Sequence, residues 1–200
     1  VPTFVFLIVG LLSWQNFFDA IQAPLLTLQK SKKYFLKINV PIETYVFSKL
    51  FEVLFFSFIR HIIILLVISL FYTLPGMQYI FASFAYALIL ILFGSALGLL
   101  IAPLGILIQD FTKIFSYILS FILFCTPVFY KSVSEGILKQ LNTYNPISAP
   151  LSQVRSSLIF PNELLWTPSI GILVATLIFF TLGSILLKLA KPMIYERMGI

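Results

Sequence analysis

Charged residues are scarce in this chain. Only 10% of its 200 residues are Asp, Glu, Lys or Arg, whereas 60% are hydrophobic and the mean hydropathy is +1.05. This balance excludes a soluble domain, because about 25% of the residues in a typical soluble domain are charged. The few charges lie between apolar runs of about 20 residues or more, a length that crosses a hydrocarbon core as a helix. The sequence therefore predicts an all-α polytopic membrane protein.

Cysteine, histidine and nucleotide-binding loops are nearly or wholly missing, and each shortage excludes a class of chemistry. The single cysteine, Cys125, leaves no internal disulfide and no cysteine-based metal site. The single histidine, His61, has no second histidine for a metal and no partner arranged for a catalytic triad. No G-x-x-x-x-G-K-S/T loop occurs, which excludes ATP hydrolysis by the P-loop route. We therefore expect a chain that is not an enzyme and binds no cofactor or metal.

Carboxylates and basic patches are also few. The net charge is +6, but no basic patch with interleaved aromatic residues stands outside the apolar runs, so we expect no nucleic-acid partner. A proton- or sodium-coupled carrier normally keeps a carboxylate near the membrane midplane. The acidic residues here are predicted at span ends or in loops, which disfavours secondary transport. They are Asp19, Glu43, Glu52, Asp110, Glu135, Glu163 and Glu196.

One membrane domain is predicted over residues 1–200, since no polar segment is long enough for a soluble domain. The chain starts at Val1 inside an apolar run, without the basic region of a signal peptide, so we expect Val1 to be an internal position. The third span is longer than one crossing requires, which predicts that it protrudes, tilts or bends near Pro103. About five spans are predicted, at residues 1–21, 45–72, 79–108, 114–130 and 169–189, with a short polar break at residues 109–113 before the fourth.

The connecting segments predict shorter helices. Pro24 suits a first helical position, so a short basic interfacial helix is expected between it and Pro41. Residues 137–141 and 147–160 are too apolar for an ordinary loop and too short to span, which predicts interfacial or re-entrant helices. Asn145-Pro146 is predicted to supply the N-cap and the first-turn proline of the second of these helices.

The distribution of lysine and arginine predicts the orientation, because cytoplasmic loops carry the excess of these residues. The basic helix, the break at Asp110 and the C-terminal end are therefore expected in the cytoplasm, with residues 131–167 outside. The predicted cytoplasmic side holds Lys30, Lys32, Lys33, Lys37, Lys113, Lys188, Lys191 and Arg197, whereas the other side holds Lys131, Lys139 and Arg155.

Arg60 and His61 are the polar pair inside a predicted span. An arginine deep in hydrocarbon costs at least ~2.5–3.5 kcal/mol on insertion scales. The helix can protrude so that Arg60 reaches the headgroups with its side chain extended. Alternatively, Arg60 lines a polar path through the bundle. The sequence leaves both alternatives open.

Small residues form a ladder on one face of the third span, with Gly94, Gly98 and Ala102 at helical spacing. Such residues let two helix backbones approach closely in lipid. The ladder predicts packing within one bundle or, alternatively, the seam of a homodimer.

Two further features have alternative interpretations. Lys30, Lys33 and Lys37 share a helical stripe, which binds anionic lipid at about 1 kcal/mol per lysine or docks a soluble partner. The physics of these residues alone slightly favours lipid. Aromatic residues near the outer segment either stack on sugar faces or form an interfacial belt. They are Phe129, Tyr130, Tyr144 and Trp166.

A set of short motifs occurs in a particular order. The set is Trp14-x-x-Phe17, Val40-Pro41-Ile42-Glu43, Gln109-Asp110-Phe111, Thr126-Pro127-Val128-Phe129-Tyr130, Tyr144-Asn145-Pro146 followed by Arg155, and Tyr195-Glu196-Arg197-Met198-Gly199. This order resembles the permease subunit of ABC-2 type exporters, in the branch that exports O-antigen, capsular polysaccharide or teichoic acid. The resemblance covers essentially the whole chain and implies a six-span protein whose N-terminal interfacial helix and first span precede Val1. One departure is Gln109, where the family often has arginine.

The resemblance implies an assembly of two permease copies and two ATP-binding subunits in the bacterial cytoplasmic membrane, with ATP and Mg held by the partner subunit. It implies a cytoplasmic coupling helix that docks in the ATPase, made of Leu28, Lys30, Lys32, Lys33, Tyr34, Phe35 and Lys37. It also implies that the cytoplasmic loop at Gln109 and Asp110 lies opposite outer re-entrant helices. The expected translocation path or outer gate comprises Arg60, His61, Tyr130, Tyr144, Asn145, Pro146 and Arg155.

The substrate implied by the resemblance is a lipid-linked polysaccharide, with membrane lipids as further partners. An alternative is an ABC-2 permease for a drug, lipid or other small amphiphile, which shares the same fold. A polytopic membrane enzyme acting on lipid-linked sugars is the alternative from another class. It requires carboxylates or a histidine clustered at an aqueous face, and the loops of this sequence contain no such cluster.

Overall fold

The computed structural model describes residues 3–30, 41–108, 110–131, 136–161 and 170–198, and the regular structure in these ranges is helical. Helix formation satisfies every backbone polar group within the segment, which a lipid environment requires. The helices are α1 (Thr3–Lys30), α2 (Ile42–Phe71), α3 (Met77–Leu107), α4 (Phe111–Cys125), α5 (Ile137–Tyr144), α6 (Ser148–Ile159) and α7 (Ile170–Met198).

Four helices, α1, α2, α3 and α7, are long and apolar enough to cross a membrane. The fourth predicted span, which follows the polar break at residues 109–113 and ends at residue 130, contains a shorter helix instead. At 1.5 Å per residue, the 15 residues of α4 extend about 22 Å, less than the roughly 30 Å of a hydrocarbon core. The helix ends because Pro127 disfavours helical backbone at Thr126, which is extended with φ −99° and ψ 144°. Among the described residues the structure thus has four helices of spanning length, where the sequence predicted five spans.

Pro24 does not begin a separate helix, which corrects the predicted boundary at residue 21. It lies inside α1, which continues to Lys30. Proline is tolerated within a membrane helix because neighbouring helices compensate for the missing backbone hydrogen bond. At this position α3 packs closely on α1, since a Cβ at Gly98 would lie 3.0 Å from Cδ of Pro24. The rest of the predicted basic helix, residues 31–40, lies outside the described residues.

Two other prolines are also accommodated within helices. Pro103 lies inside α3 and Pro192 inside α7. The span predicted to end at Leu189 therefore continues, as helix, through the predicted tail to Met198. The predicted end was placed where the apolar residues stop, but the helix continues into the polar residues that follow.

The bundle is built around α3, which packs most extensively against α1 and α7 and also contacts α6. Glycine permits the closest of these contacts. A Cβ at Gly94 would lie 2.8 Å from the carbonyl oxygen of Phe17, and one at Gly98 would lie 2.4 Å from that of Ile21. Ala102, further along α3, is fully buried. The small-residue face of α3 is thus occupied by α1 of the same chain, so a homodimer seam would use another surface.

Side-chain contacts give the relative directions of the helices. The rings of Phe4 and Phe71 lie 6.5 Å apart, which places the start of α1 beside the end of α2. Gln22, late in α1, donates a 3.1 Å hydrogen bond from Nε2 to Oγ of Ser116, early in α4. Both α2 and α4 therefore run antiparallel to α1.

The end of the bundle that holds the start of α2 also holds the end of α7. Nζ of Lys191 and Oε1 of Glu43 form an ion pair at 2.5 Å. The loop at Asp110 lies at this same end, since it joins the end of α3 to the start of α4. The loop at Asp110 and the end of α7 are two of the segments that the lysine and arginine distribution assigned to one side, and we refer to this end as the basic end; residues 31–40 lie outside the described residues.

Candidate functional site

Polar side chains in contact with α1 form two clusters. The first, the ion-pair cluster, joins Arg60 of α2 to Gln15, Asn16 and Asp19 of α1. Nη1 of Arg60 donates a 2.8 Å hydrogen bond to Oδ1 of Asn16, and Nη2 forms an ion pair with Oδ2 of Asp19. Nε2 of Gln15 donates a 2.7 Å hydrogen bond to the other carboxylate oxygen of Asp19. The four side chains form one connected network between α1 and α2.

Burial of this network is incomplete. The Arg60 side chain is 16% exposed and the Asp19 side chain 28% exposed. Both border a cavity of about 340 Å³, which is also lined by Gln22, Lys49 and Glu52. Lys49 and Glu52 pair with each other at 2.5 Å. Arg60 therefore faces a partner and a charged cavity within the bundle, and its charge is compensated by Asp19.

Asp19 corrects the expectation that the carboxylates lie at span ends or in loops. Because α1 continues to Lys30, Asp19 lies inside the apolar stretch Thr3–Thr27, which is long enough to span a membrane. The sequence argument against a coupled carrier assumed that no carboxylate lies inside a span, and that assumption is wrong. The Asp19 carboxylate is held by contacts to the side chains of Arg60 and Gln15.

His61, the neighbour of Arg60, faces α3 and not the ion-pair cluster. It is 4% exposed, its Nε2 lies 3.1 Å from Oγ of Ser83, and its ring stands edge-on to Phe84 at 5.4 Å. Within the described ranges, no group of three His, Cys, Asp or Glu side chains is placed to hold a metal ion. The contacts of His61 are those of a packed residue with one polar partner.

The second cluster, the Arg155 clamp, consists of Arg155 with Phe6, Gly10, Pro127 and Val128. Arg155 is 5% exposed and donates hydrogen bonds of 2.9 Å and 2.8 Å to the carbonyl oxygens of Pro127 and Val128. Its guanidinium carbon lies 3.7 Å from the centre of the Phe6 ring. The clamp thus joins α6, the turn after α4 and the start of α1.

Local structure explains why these groups meet. The turn at residues 126–128 follows a helix end, where carbonyl groups lack partners within the helix, and the guanidinium fork supplies the donors. Gly10 makes room for it, since a Cβ there would lie 2.4 Å from Nη2 of Arg155 and 2.7 Å from the carbonyl oxygen of Val128. Burial lowers the pKa of Arg155 to about 10, so the side chain stays charged at neutral pH.

Asn145 connects the clamp to the two short helices. Its Nδ2 donates a 3.0 Å hydrogen bond to Oγ1 of Thr126, and its Oδ1 accepts one of 3.0 Å from the backbone N–H of Ile147. Ile147 is the N-cap of α6, which corrects the prediction that Asn145 holds this position. Asn145 instead forms the joint between α5 and α6, because its side chain bonds to the backbone two residues on.

The structure brings together some of the predicted gate residues. Tyr130, Asn145 and Arg155 gather around the turn, with the Tyr130 hydroxyl 3.3 Å from Oδ1 of Asn142. Tyr144 is 86% exposed and Pro146 is also exposed, so neither belongs to the cluster. Arg60 lies elsewhere, because its partners on α1 are six to nine residues beyond Gly10, about 9–14 Å along the helix.

The predicted coupling segment is largely outside the described residues. The backbone of Leu28 and Lys30 belongs to α1, but their side chains are not described, and Lys32, Lys33, Tyr34, Phe35 and Lys37 lie outside the described ranges, as does Gln109. Asp110 is described: its Oδ1 accepts a 3.1 Å hydrogen bond from Lys113 on an exposed surface.

Sequence reasoning missed Asn16, Asp19 and Gly10 as partners of the two arginines. One signal was available, since Ser13, Asn16 and Asp19 recur at three-residue spacing and therefore share a face of the first span. Polar residues repeated on one face of an apolar helix indicate an interior partner. No comparable signal exists for Gly10, because its role depends on a residue of another helix.

The described part of the chain thus comprises four apolar helices of spanning length, three shorter helices and two polar clusters along α1. No protein-family model matches the chain, and no curated protein matches it significantly.

Proposed function

We propose that this chain is the transmembrane subunit of an ATP-driven exporter of lipid-linked polysaccharide. In this proposal it acts as a homodimer in the bacterial cytoplasmic membrane, with a separate ATP-binding subunit. The observation that carries the proposal is the placement of α6, a helix too short to span. Its Leu151, Val154 and Leu158 are buried in the core shared with α1 and α3, and Arg155 ties it to the turn after α4.

This placement supports a gate at the end of the bundle opposite the basic end. Alternating access requires an element with two arrangements whose balance a partner shifts. The polar contacts that attach the pair α5 and α6 to the bundle include the Arg155 clamp and the joint at Asn145, in addition to the apolar packing of α6 on α1 and α3. In the proposal these contacts hold the closed arrangement, and their separation opens the outer end for the polysaccharide.

The continuity of α1 supports a mechanical connection between the two ends. With 28 residues α1 is about 42 Å long, and it contacts both the Arg155 clamp and the ion-pair cluster. The proposed coupling segment begins at Leu28, in the last turn of α1, and continues in the sequence beyond Lys30. A displacement imposed by the ATP-binding subunit on that segment would therefore move both clusters through a single helix.

The experiment that tests the proposal asks whether an ATP-binding subunit co-purifies with this chain. An affinity-tagged chain purified from its native membrane should co-purify with a P-loop ATPase. If the coupling segment docks by apolar contact, Leu28→Ala with Phe35→Ala should abolish co-purification, since each buried side chain contributes roughly 1.5–3 kcal/mol. Lys32→Gln is the matched control and should retain the ATPase, because an exposed lysine contact is worth under about 1 kcal/mol.

Two outcomes would contradict this proposal. Robust ATP hydrolysis by the isolated chain would contradict a separate ATPase. Retention of the ATPase by the Leu28 and Phe35 double variant, combined with its loss on neutralising Lys30, Lys33 and Lys37, would show that lysines carry the docking. Equal membrane expression of all variants is established first.

The orientation is tested by cysteine labelling in a Cys125→Ala background. Lys113→Cys and Tyr144→Cys both place the thiol at exposed positions, and the proposal puts them on opposite sides of the membrane. In intact spheroplasts an impermeant maleimide should label Tyr144→Cys alone, and Lys113→Cys should react only after permeabilisation. Labelling of both variants from outside, or of Lys113→Cys alone, would overturn the orientation; the Cys125→Ala chain is the blank.

A further inference from the structure

A cavity of about 330 Å³ lies between the two short helices and the turn after α4. Its volume is in the lower part of the range for small-molecule sites. The polar residues that line it come from both helices. They are Lys139, Asn142 and Thr143 of α5 and Ser148 and Ser152 of α6.

Two of these polar side chains are buried and have an atom without a partner. Asn142 is 8% exposed and Ser148 is 4% exposed. Neither Nδ2 of Asn142 nor Oγ of Ser148 has a hydrogen-bond partner in the part of the chain that the structure describes. The Tyr130 hydroxyl lies 3.3 Å from Oδ1 of Asn142, which leaves the amide nitrogen as the unused end. Unpaired buried polar atoms are rare in proteins, and a bound ligand is one explanation for them.

The charges around the cavity indicate which class of ligand it would bind. Lys139 supplies an ammonium group, and Ser148 is the first residue of α6, a 12-residue helix whose N-terminal end carries partial positive charge. None of the described residues that line the cavity is acidic. A neutral sugar would satisfy the amide and the hydroxyl, but an anion would in addition gain from the lysine and the helix end.

We propose that this cavity binds a phosphate group, contacted by Lys139, Asn142 and Ser148. The phosphate is either a free ion or the headgroup of a phospholipid, since both present the same acceptor oxygens. The cavity adjoins the Arg155 clamp through Pro127, so an occupied site would bind the two short helices and the turn to one another. The proposal goes beyond the transport function and does not depend on it.

The test uses the full chain in micelles of a polyoxyethylene detergent, which contains neither phosphate nor sugar, with unfolding followed by tryptophan fluorescence. A ligand that binds only the folded state raises the unfolding temperature. Above the dissociation constant, this increase grows with the logarithm of the ligand concentration. The probes are inorganic phosphate and dihexanoyl phosphatidic acid, with glucose as the neutral polyol. We expect both phosphate probes to raise the unfolding temperature and glucose to have no effect.

Two variants assign the binding to this cavity. Lys139→Gln and Ser148→Ala should each weaken binding of the phosphate probes about tenfold, the effect of losing one hydrogen bond to a charged group. Ser148→Ala also distinguishes a loss of phosphate binding from a loss of protein stability. Without phosphate it should unfold at the same temperature as the parent chain or higher, because it removes a hydroxyl that has no partner. Lys113→Gln, an exposed lysine at the basic end, is the matched control and should bind both probes normally.

The remaining outcomes either identify the source of the phosphate or overturn the proposal. Tighter binding of dihexanoyl phosphatidic acid than of phosphate supports a lipid headgroup, and equal binding supports a free phosphate. The proposal is overturned if neither probe stabilises the parent chain, if the two variants respond as the parent does, or if glucose stabilises the chain as strongly as phosphate. Failure of the ATPase to co-purify would refute the transport function and leave this result unaffected.

Discussion

Arg155→Met is expected to lower the free energy of unfolding by roughly 2–6 kcal/mol. Its guanidinium supplies the hydrogen bonds to the buried carbonyl groups of Pro127 and Val128, and each carbonyl that loses its partner costs about 1–3 kcal/mol. Methionine approximates the length of the side chain but has no donor. Unfolding by SDS in mixed micelles measures the change.

The matched variants for this prediction are Arg155→Lys and Lys113→Met. Lysine keeps the charge but lacks the planar fork that reaches both carbonyls, so its effect should be intermediate. Lys113 is 78% exposed at the basic end, and its replacement should leave stability nearly unchanged. Equal stability of Arg155→Met and Lys113→Met would show that the clamp does not hold α6 in place.

The pair between Arg60 and Asp19 should show strong non-additivity. Asp19→Leu and Arg60→Leu each leave one charge unpaired within the bundle, and breaking a buried pair costs about 3–5 kcal/mol. Because Arg60 is 16% and Asp19 28% exposed, we expect the low end of this range for each single variant, about 3 kcal/mol. The double variant should return to within about 1 kcal/mol of the parent chain, since apolar residues can replace an ion pair at little cost.

The same unfolding assay checks this cycle, with Lys49→Leu and Glu52→Leu as controls. These residues pair on the more exposed side of the same cavity, with side chains 39% and 48% exposed, and an exposed pair contributes about 0–1 kcal/mol. A double Leu variant at Arg60 and Asp19 that is as unstable as the sum of the singles would contradict the prediction.

Several parts of the fold were predictable because they depend on local composition. The helices at residues 42–71 and 77–107 match the predicted spans to within three residues at each end. The two short helices were predicted from the length of their apolar runs and are found at residues 137–144 and 148–159. In each case an apolar run bounded by a turn is sufficient, because the backbone satisfies its own hydrogen bonds as a helix.

Two of the failures share one cause, which is that the deciding partner lies on another helix. Pro24 was predicted to start a helix because local rules place proline there, yet α3 supports an uninterrupted α1. Asp19 was assigned to a span end for the same reason, although the longer helix carries it into the bundle beside Arg60. A third failure has a local cause: the span predicted between the polar break at residues 109–113 and residue 130 is cut short because the proline at 127 ends α4 early.

By itself the sequence determined that this is an all-helical protein of membrane character, with its basic segments gathered at one end. That follows from composition and length, since hydrocarbon excludes most charges and admits a backbone only when its hydrogen bonds are internal. The tertiary structure alone decided which polar groups meet. Arg155 reaches two carbonyls beside Gly10, and Arg60 reaches Asp19, because helix rotation and neighbour distance set these contacts. Those quantities depend on how whole helices pack, and no local stretch of sequence specifies them.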